Sequence, residues 1–168
     1  MNNYTKLIIF IILLLAGFGI AILILSWPSI SGKTYTLATG TIDPFDILMG
    51  QYATLNYEIS RIQNIPQEAR IGDSIYVSLE EDDSGIFRYG STSLTKPQNN
   101  FIKGKIKAFS GNTAIVEYGI ETFYFERGAS FSMRNITVEV KVSNSGKAVL
   151  SRILQNGSPL AIEYRISN

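Results

Sequence analysis

The sequence predicts an all-β domain, an antiparallel barrel or sandwich of about nine or ten short strands, behind one N-terminal transmembrane helix. Three observations carry this. A run without charge extends from Leu7 to Trp27. Beyond Lys33 the apolar residues switch to strict alternation, the period of a half-buried strand. Turn-forming clusters then recur about every 8–12 residues.

The 21 residues from Leu7 to Trp27 are rich in Leu and Ile and have no polar stripe. As a helix they measure about 31 Å, close to the roughly 30 Å hydrocarbon core of a bilayer. Tyr4 and Trp27 flank the run, where aromatic anchors collect. Pro28 is expected to end the helix, with Ser29 to Gly32 as a flexible exit. The expected layout is a short cytoplasmic N-terminus (1–6), an anchor (7–27), a linker (28–33) and an extracytoplasmic β domain (34–168). Orientation follows the positive-inside rule. Lys6 and the α-amino group flank one end, and no charge follows the run until Lys33. The segment is too long for the 7–15-residue apolar region of a cleaved signal, although Ser29-Ile30-Ser31 resembles a cleavage site. A signal anchor of a single-pass cell-membrane protein is therefore expected. Gly17 and Ala21 have the small-xxx-small spacing of close-packing helices.

Each strand has its own signal. Thr34 to Ile42 mixes Tyr, Leu and Ile with threonine. Tyr52 to Ile59 alternates Ala53, Leu55, Tyr57 and Ile59 against Tyr52, Thr54, Asn56 and Glu58. Ser74 to Leu79 sets Ile75, Val77 and Leu79 on one face, and Asp82 to Gly85 turns it into Ile86 to Tyr89. Phe101 to Phe109 places Ile102, Gly104, Ile106 and Ala108 opposite Lys103, Lys105 and Lys107. A turn at Ser110 to Asn112 leads to Thr113 to Tyr118. Ile136 to Val142 alternates aliphatic and polar residues, and Asn144 to Lys147 turns it into Ala148 to Leu154. Asn156-Gly157 is a strong hairpin signal, and Leu160 to Ile166 closes the chain. Short helical turns are expected at Pro44 to Met49 and near Ser130 to Asn135.

Composition excludes much chemistry. The chain has no Cys and no His. Cysteine nucleophiles, disulfides, thiolate metal sites and histidine-based triads are impossible. All 14 acidic residues lie beyond Trp27, as do all but one of the 15 basic residues. The domain is thus neutral overall, without an electrostatic reason to bind nucleic acid or an anionic membrane surface. No cofactor is expected, and no catalytic constellation stands out.

Four stretches carry a family resemblance. Asp43-Pro44-Phe45-Asp46 precedes Gly50-Gln51-Tyr52-Ala53-Thr54-Leu55-Asn56-Tyr57. Then come Phe101 to Gly104, and Tyr118-Gly119-Ile120-Glu121 running on through Phe123 to Gly128. This resembles the bacterial GDYXXLXY family of membrane-anchored proteins, named for the motif matched at Gly50 to Tyr57. Gln51 replaces the Asp of the family name, so a carboxylate at that position is not essential to this member. The segment before Gly128 also lacks the expected Pro. The resemblance implies a membrane location and a multi-spanning membrane protein as partner, with no assigned reaction.

The ligand- or partner-binding candidates are Asp43, Asp46, Gly50, Tyr52, Leu55, Tyr57, Tyr118, Gly119, Glu121 and Glu126. Each has a structural alternative. Asp43-Pro44 reads as a helix N-cap with Pro at the first position, and Asp46 favours the same helix end. Alternatively, the two carboxylates join Glu121 or Glu126 around a ligand, as in an envelope enzyme or ligand sensor. The aromatic residues Tyr52, Tyr57, Tyr118, Phe123, Tyr124 and Phe125 either fill the core or form a docking surface. The acids Glu80 to Asp83 read as a solvated turn. Lys103, Lys105 and Lys107 read as a solvent face or a protected edge strand, with contact to lipid headgroups as the lesser alternative. The leading expectation is a non-enzymatic accessory subunit.

Overall fold

The computed structural model describes residues 2–40, 52–126, 129–130 and 134–164, with the backbone alone at 27–31, 129–130 and 163–164. The chain opens with a helix, α1 (Asn3–Ser31). Strands follow as β1 (Lys33–Ala38), β2 (Tyr52–Thr54), β3 (Arg61–Ile62), β4 (Ser74–Glu81), β5 (Phe87–Ser93), β6 (Phe101–Ser110) and β7 (Thr113–Glu117). Then come β8 (Thr122–Tyr124), β9 (Ala129–Ser130), β10 (Ile136–Val142), β11 (Ala148–Gln155), β12 (Ser158–Pro159) and β13 (Glu163–Tyr164).

The helix is long and apolar enough to cross a membrane, and no part of its span Asn3–Ser26 is buried. Fifteen large apolar side chains between Leu7 and Leu25 are exposed. At roughly 1.5–3 kcal/mol each, leaving them in water forgoes more free energy than the whole net stability of a typical domain, about 5–15 kcal/mol. An apolar surround is the physical complement of such a surface. Pro28 does not end the helix, which continues to Ser31. Proline's fixed φ is itself helical; its ring removes one backbone donor and crowds the carbonyl four residues earlier, which penalises a helix without forbidding it. The expected flexible exit is therefore helical, and Gly32 alone joins α1 to β1. The Trp27 side chain lies outside the described residues.

The main sheet has nine strands in the order β12-β11-β10-β1-β5-β4-β6-β7-β3. The alternating segments become its buried faces. Ile75, Val77 and Leu79 of β4, Ile102 and Ile106 of β6, and Ile136, Val138, Val140 and Val142 of β10 enter one core. Tyr35 and Leu37 of β1 meet them from the centre of the sheet, opposite Val140 and Val138. Three bulges leave Gly90, Lys107 and Ser151 without a partner across their ladders. Bulges increase local twist and bend a strand. The sheet curls far enough for Lys103 of β6 to donate its backbone N–H to Gly146 in the β10–β11 turn, at 2.9 Å. The result is a curled nine-stranded sheet with β12 and β3 at its two edges.

Three details differ from the sequence reading. Thirteen strand segments are present among the described residues, more than the expected nine or ten, because two-residue pairings such as β3 and β12 leave no alternation to read. One contact in the otherwise antiparallel sheet is parallel, β1 with β5 at Leu37 and Phe87. These strands are joined by a long crossover through β2 to β4, which a parallel pair requires. The lysine-bearing strand β6 is not an edge, since β4 and β7 pair with its two sides.

The turns follow their chemistry. Asn156 and Gly157 both have positive φ (50° and 78°), as a tight β11–β12 hairpin requires. Asp82 organises the β4–β5 turn. Its carboxylate accepts from the N–H groups of Ser84 (2.9 Å) and Ile86 (3.0 Å) and from Arg88 Nε (2.7 Å). The Arg88 bond and these backbone donors hold the Asp82 carboxyl below its ordinary pKa. Of the two expected helical turns, residues 44–49 and 131–133 lie outside the described residues.

Candidate functional site

The motif segment Tyr52–Ile59 keeps its two-residue period through a change of backbone. Ala53, Leu55, Tyr57 and Ile59 are buried, while Tyr52, Asn56 and Glu58 are exposed. Only Tyr52–Thr54 is a strand, and Glu58–Ser60 is a 3₁₀ turn, so the expected eight-residue strand is shortened. The reason is a change of partner. β2 pairs with β8, Tyr52 opposite Tyr124 and Ala53 opposite Phe123. Leu55 then donates to the Glu121 carbonyl at 2.6 Å, extending that ladder by one bond. Tyr57 instead bridges to Thr39 after β1.

The segment around Tyr57 is clasped to Tyr118–Glu121 by two crossed tyrosines. The Tyr57 hydroxyl donates to the Ile120 carbonyl at 2.7 Å. The Tyr118 hydroxyl donates in return to the Ile59 carbonyl at 2.6 Å. Both bonds are buried, which satisfies the hydroxyls and two carbonyls cut off from water. Gly119 has φ 80°, a left-handed turn that glycine adopts without strain. The Glu121 carboxylate closes this turn, accepting from Tyr118 N–H (2.5 Å) and Gly119 N–H (2.9 Å).

The clasp needs room, and Gly104 of β6 provides it. A Cβ there would lie 2.8 Å from the Tyr118 ring and would also meet Val116. Sequence reasoning placed Gly104 on the inward face without giving it this role. The available signal was a lone glycine inside an alternating strand, which marks close approach of another group.

Burial, and then the nearby Glu121 carboxylate, pushes the Tyr57 phenol far above its ordinary pKa. The Tyr118 phenol is raised in the same way, with a further contribution from Tyr89. Both phenols stay protonated near neutrality and are committed as donors. Both Glu121 oxygens are occupied by backbone N–H groups. The arrangement is suited to holding two chain segments together rather than to moving a proton.

Leu55, Tyr57, Tyr118, Gly119 and Glu121 thus come together in one structural unit. Tyr52 does not join it. It is 41% exposed beside Tyr124, which is 74% exposed, with ring centroids 6.3 Å apart. Glu126 is exposed two residues beyond Tyr124. Asp43, Asp46 and Gly50 lie outside the described residues. Among the described residues no three carboxylates are grouped so as to hold a metal ion. The pairing of Glu121 with backbone removes one member of the carboxylate cluster that an enzyme or sensor reading needs.

An apolar N-terminal helix joined through one residue to a curled β sheet, with a motif tyrosine clasped inside it, fits a membrane-anchored domain. A family model described as GDYXXLXY protein matches residues 14–153, which include the second half of the helix and both clasped segments. The chain belongs to the GDYXXLXY family. No curated protein and no solved structure matches it.

Proposed function

We propose that the chain is a non-enzymatic accessory subunit of a multi-spanning membrane protein. The Leu7–Trp27 segment anchors it and packs against the partner within the bilayer. The β domain lies on the extracytoplasmic face, because positive charge flanks the N-terminal end of the helix at Lys6. The observation that carries this reading is the helix itself, whose apolar side chains are exposed on every face. Gly17 has nothing within 4 Å of where a Cβ would stand, so a second helix can approach there. Support also comes from the clasp, which uses the motif's polar groups in holding the fold. The exposed Tyr52 and Tyr124 rings give the domain an aromatic contact surface, the residue type enriched at interfaces.

The test is affinity isolation of the full chain in mild detergent, with quantitative mass spectrometry. One multi-spanning protein should recur with the wild-type chain and be depleted with Gly17→Leu/Ala21→Leu. Recovery of the chain alone, at an intact mass of 18.6 kDa, would refute the accessory role while leaving the anchor standing. A mature mass lacking about 31 residues would refute the anchor, because such a loss is what signal-peptide cleavage produces.

A further inference from the structure

Two hollows, each of about 440 Å³, flank the β10–β11 turn where it rests on β6. Lys33 and Lys96 line the first, with Tyr35, Phe101, Asn99 and Asn144. Lys103, Lys105 and Lys147 line the second, with Ser74, Ser145 and Glu117. These five lysines come from β1, the β5–β6 loop, β6 and the β10–β11 turn, so the fold gathers charge that the sequence disperses. Their only carboxylate neighbour in the two linings, Glu117, is ion-paired with Lys107 at 2.5 Å. Among the described residues none of the five lysines makes an ion pair. Lys96 and Lys103 instead lie over aromatic rings, 5.7 Å from Phe101 and 5.8 Å from Tyr76.

The position of the first hollow relative to a bilayer follows from chain length. The 29 residues of α1 span about 44 Å at 1.5 Å per residue. A bilayer including its headgroup layers is about 40–45 Å thick. Ser31 therefore ends near the headgroup surface, and Lys33 follows after a single residue. The second hollow shares the β10–β11 turn with the first: Ser143 and Asn144 line the first, and Ser145 and Lys147 line the second. Attraction between exposed charges fades beyond a screening length of about 8 Å, so local charge beginning at Lys33 counts for more than the domain's neutral total.

We propose that the two hollows bind the phosphate groups of anionic lipids in the leaflet through which the helix leaves, seating this end of the domain on the membrane. Lysine offers three donors on a compact charge, and the Asn99, Asn144 and Ser145 side chains add neutral donors for phosphate oxygens. The bilayer is the favoured source of phosphate because the helix holds the hollows beside it at a fixed high local concentration. The inference requires the helix to be an anchor and is independent of any protein partner.

The test uses the full chain in nanodiscs of phosphatidylcholine alone or with phosphatidylglycerol added, following the acetylation rate of each lysine by mass spectrometry. Phosphatidylglycerol should slow labelling several-fold at Lys33, Lys96, Lys103, Lys105 and Lys147, and high salt should abolish the difference. Lys33→Gln/Lys147→Gln should reduce protection at the other three. Equal rates in the two discs would overturn the proposal. Equal slowing at Lys141, which lines neither hollow, would also overturn it, by showing only a general surface potential. Inorganic phosphate protecting the five lysines equally well in phosphatidylcholine discs would assign the hollows to a soluble anion instead.

Discussion

Tyr52 and Tyr57 belong to one short motif and have opposite fates. Tyr57 is buried, its hydroxyl committed to a carbonyl 63 residues away in sequence. Tyr52 lies on the surface against Tyr124. Their odd spacing places them on opposite faces of an extended chain. The half of the motif containing Leu55 and Tyr57 belongs to the core, together with Tyr118 and Glu121. The half containing Tyr52 is available for contact. A motif defined by residue identity therefore combines two physical roles, and a binding site should be sought only in one of them.

Truncation tests this division most strongly. Tyr118→Ala should cost about 3–5 kcal/mol, through lost burial and a cavity over Gly104. Unfolding of the full chain in detergent, followed by near- and far-ultraviolet circular dichroism, measures this. A cost no larger than that of Tyr124→Ala would break the comparison.

Alkaline pH provides the next largest effect. The folded Tyr57 and Tyr118 phenols have raised pKa values, whereas unfolded tyrosine ionises at about 10. Their contribution is complete below about pH 10 and falls as pH rises above it, at roughly 1.4 kcal/mol per pH unit for each tyrosine. The double variant Tyr57→Phe/Tyr118→Phe should start less stable, because two buried carbonyls lose their donors. It should also lose most of the alkaline slope. An unchanged slope would show that other groups control alkaline unfolding.

The smallest effect belongs to the exposed pair. Tyr52→Ala and Tyr124→Ala should each change stability by less than about 1 kcal/mol, as surface substitutions do. Both should weaken recovery of a membrane partner, read by the same quantitative mass spectrometry. Full recovery with the double variant would move the contact surface elsewhere.

Strand-by-strand burial was legible in the sequence wherever one backbone conformation persisted. β4 and β10 bury the residues their alternation marks. In Tyr52–Ile59 the burial pattern was legible but the backbone was not. Side-chain alternation does not record that Leu55 bonds to Glu121 while Tyr57 bridges to Thr39. The crossing of the tyrosines was hidden because it depends on two distant segments and on the space at Gly104 in a third. The turn role of Glu121 has a local signal, a carboxylate two residues after a glycine, but the same residue type equally suits a ligand site. The stripe of Lys103 and Lys105 was legible in the alternation of β6, but its gathering with Lys33, Lys96 and Lys147 was not, because those residues come from distant segments.

The single-residue junction at Gly32 also has a mechanical consequence. A long linker would let the domain tumble independently of its anchor. Here the helix runs almost directly into β1, a central strand of the main sheet. Rotation or tilt of the helix would therefore be passed as torque to the middle of the sheet, with one residue of slack to absorb it. A turn imposed on this helix would carry the domain with it, and a load on the domain would reach the helix.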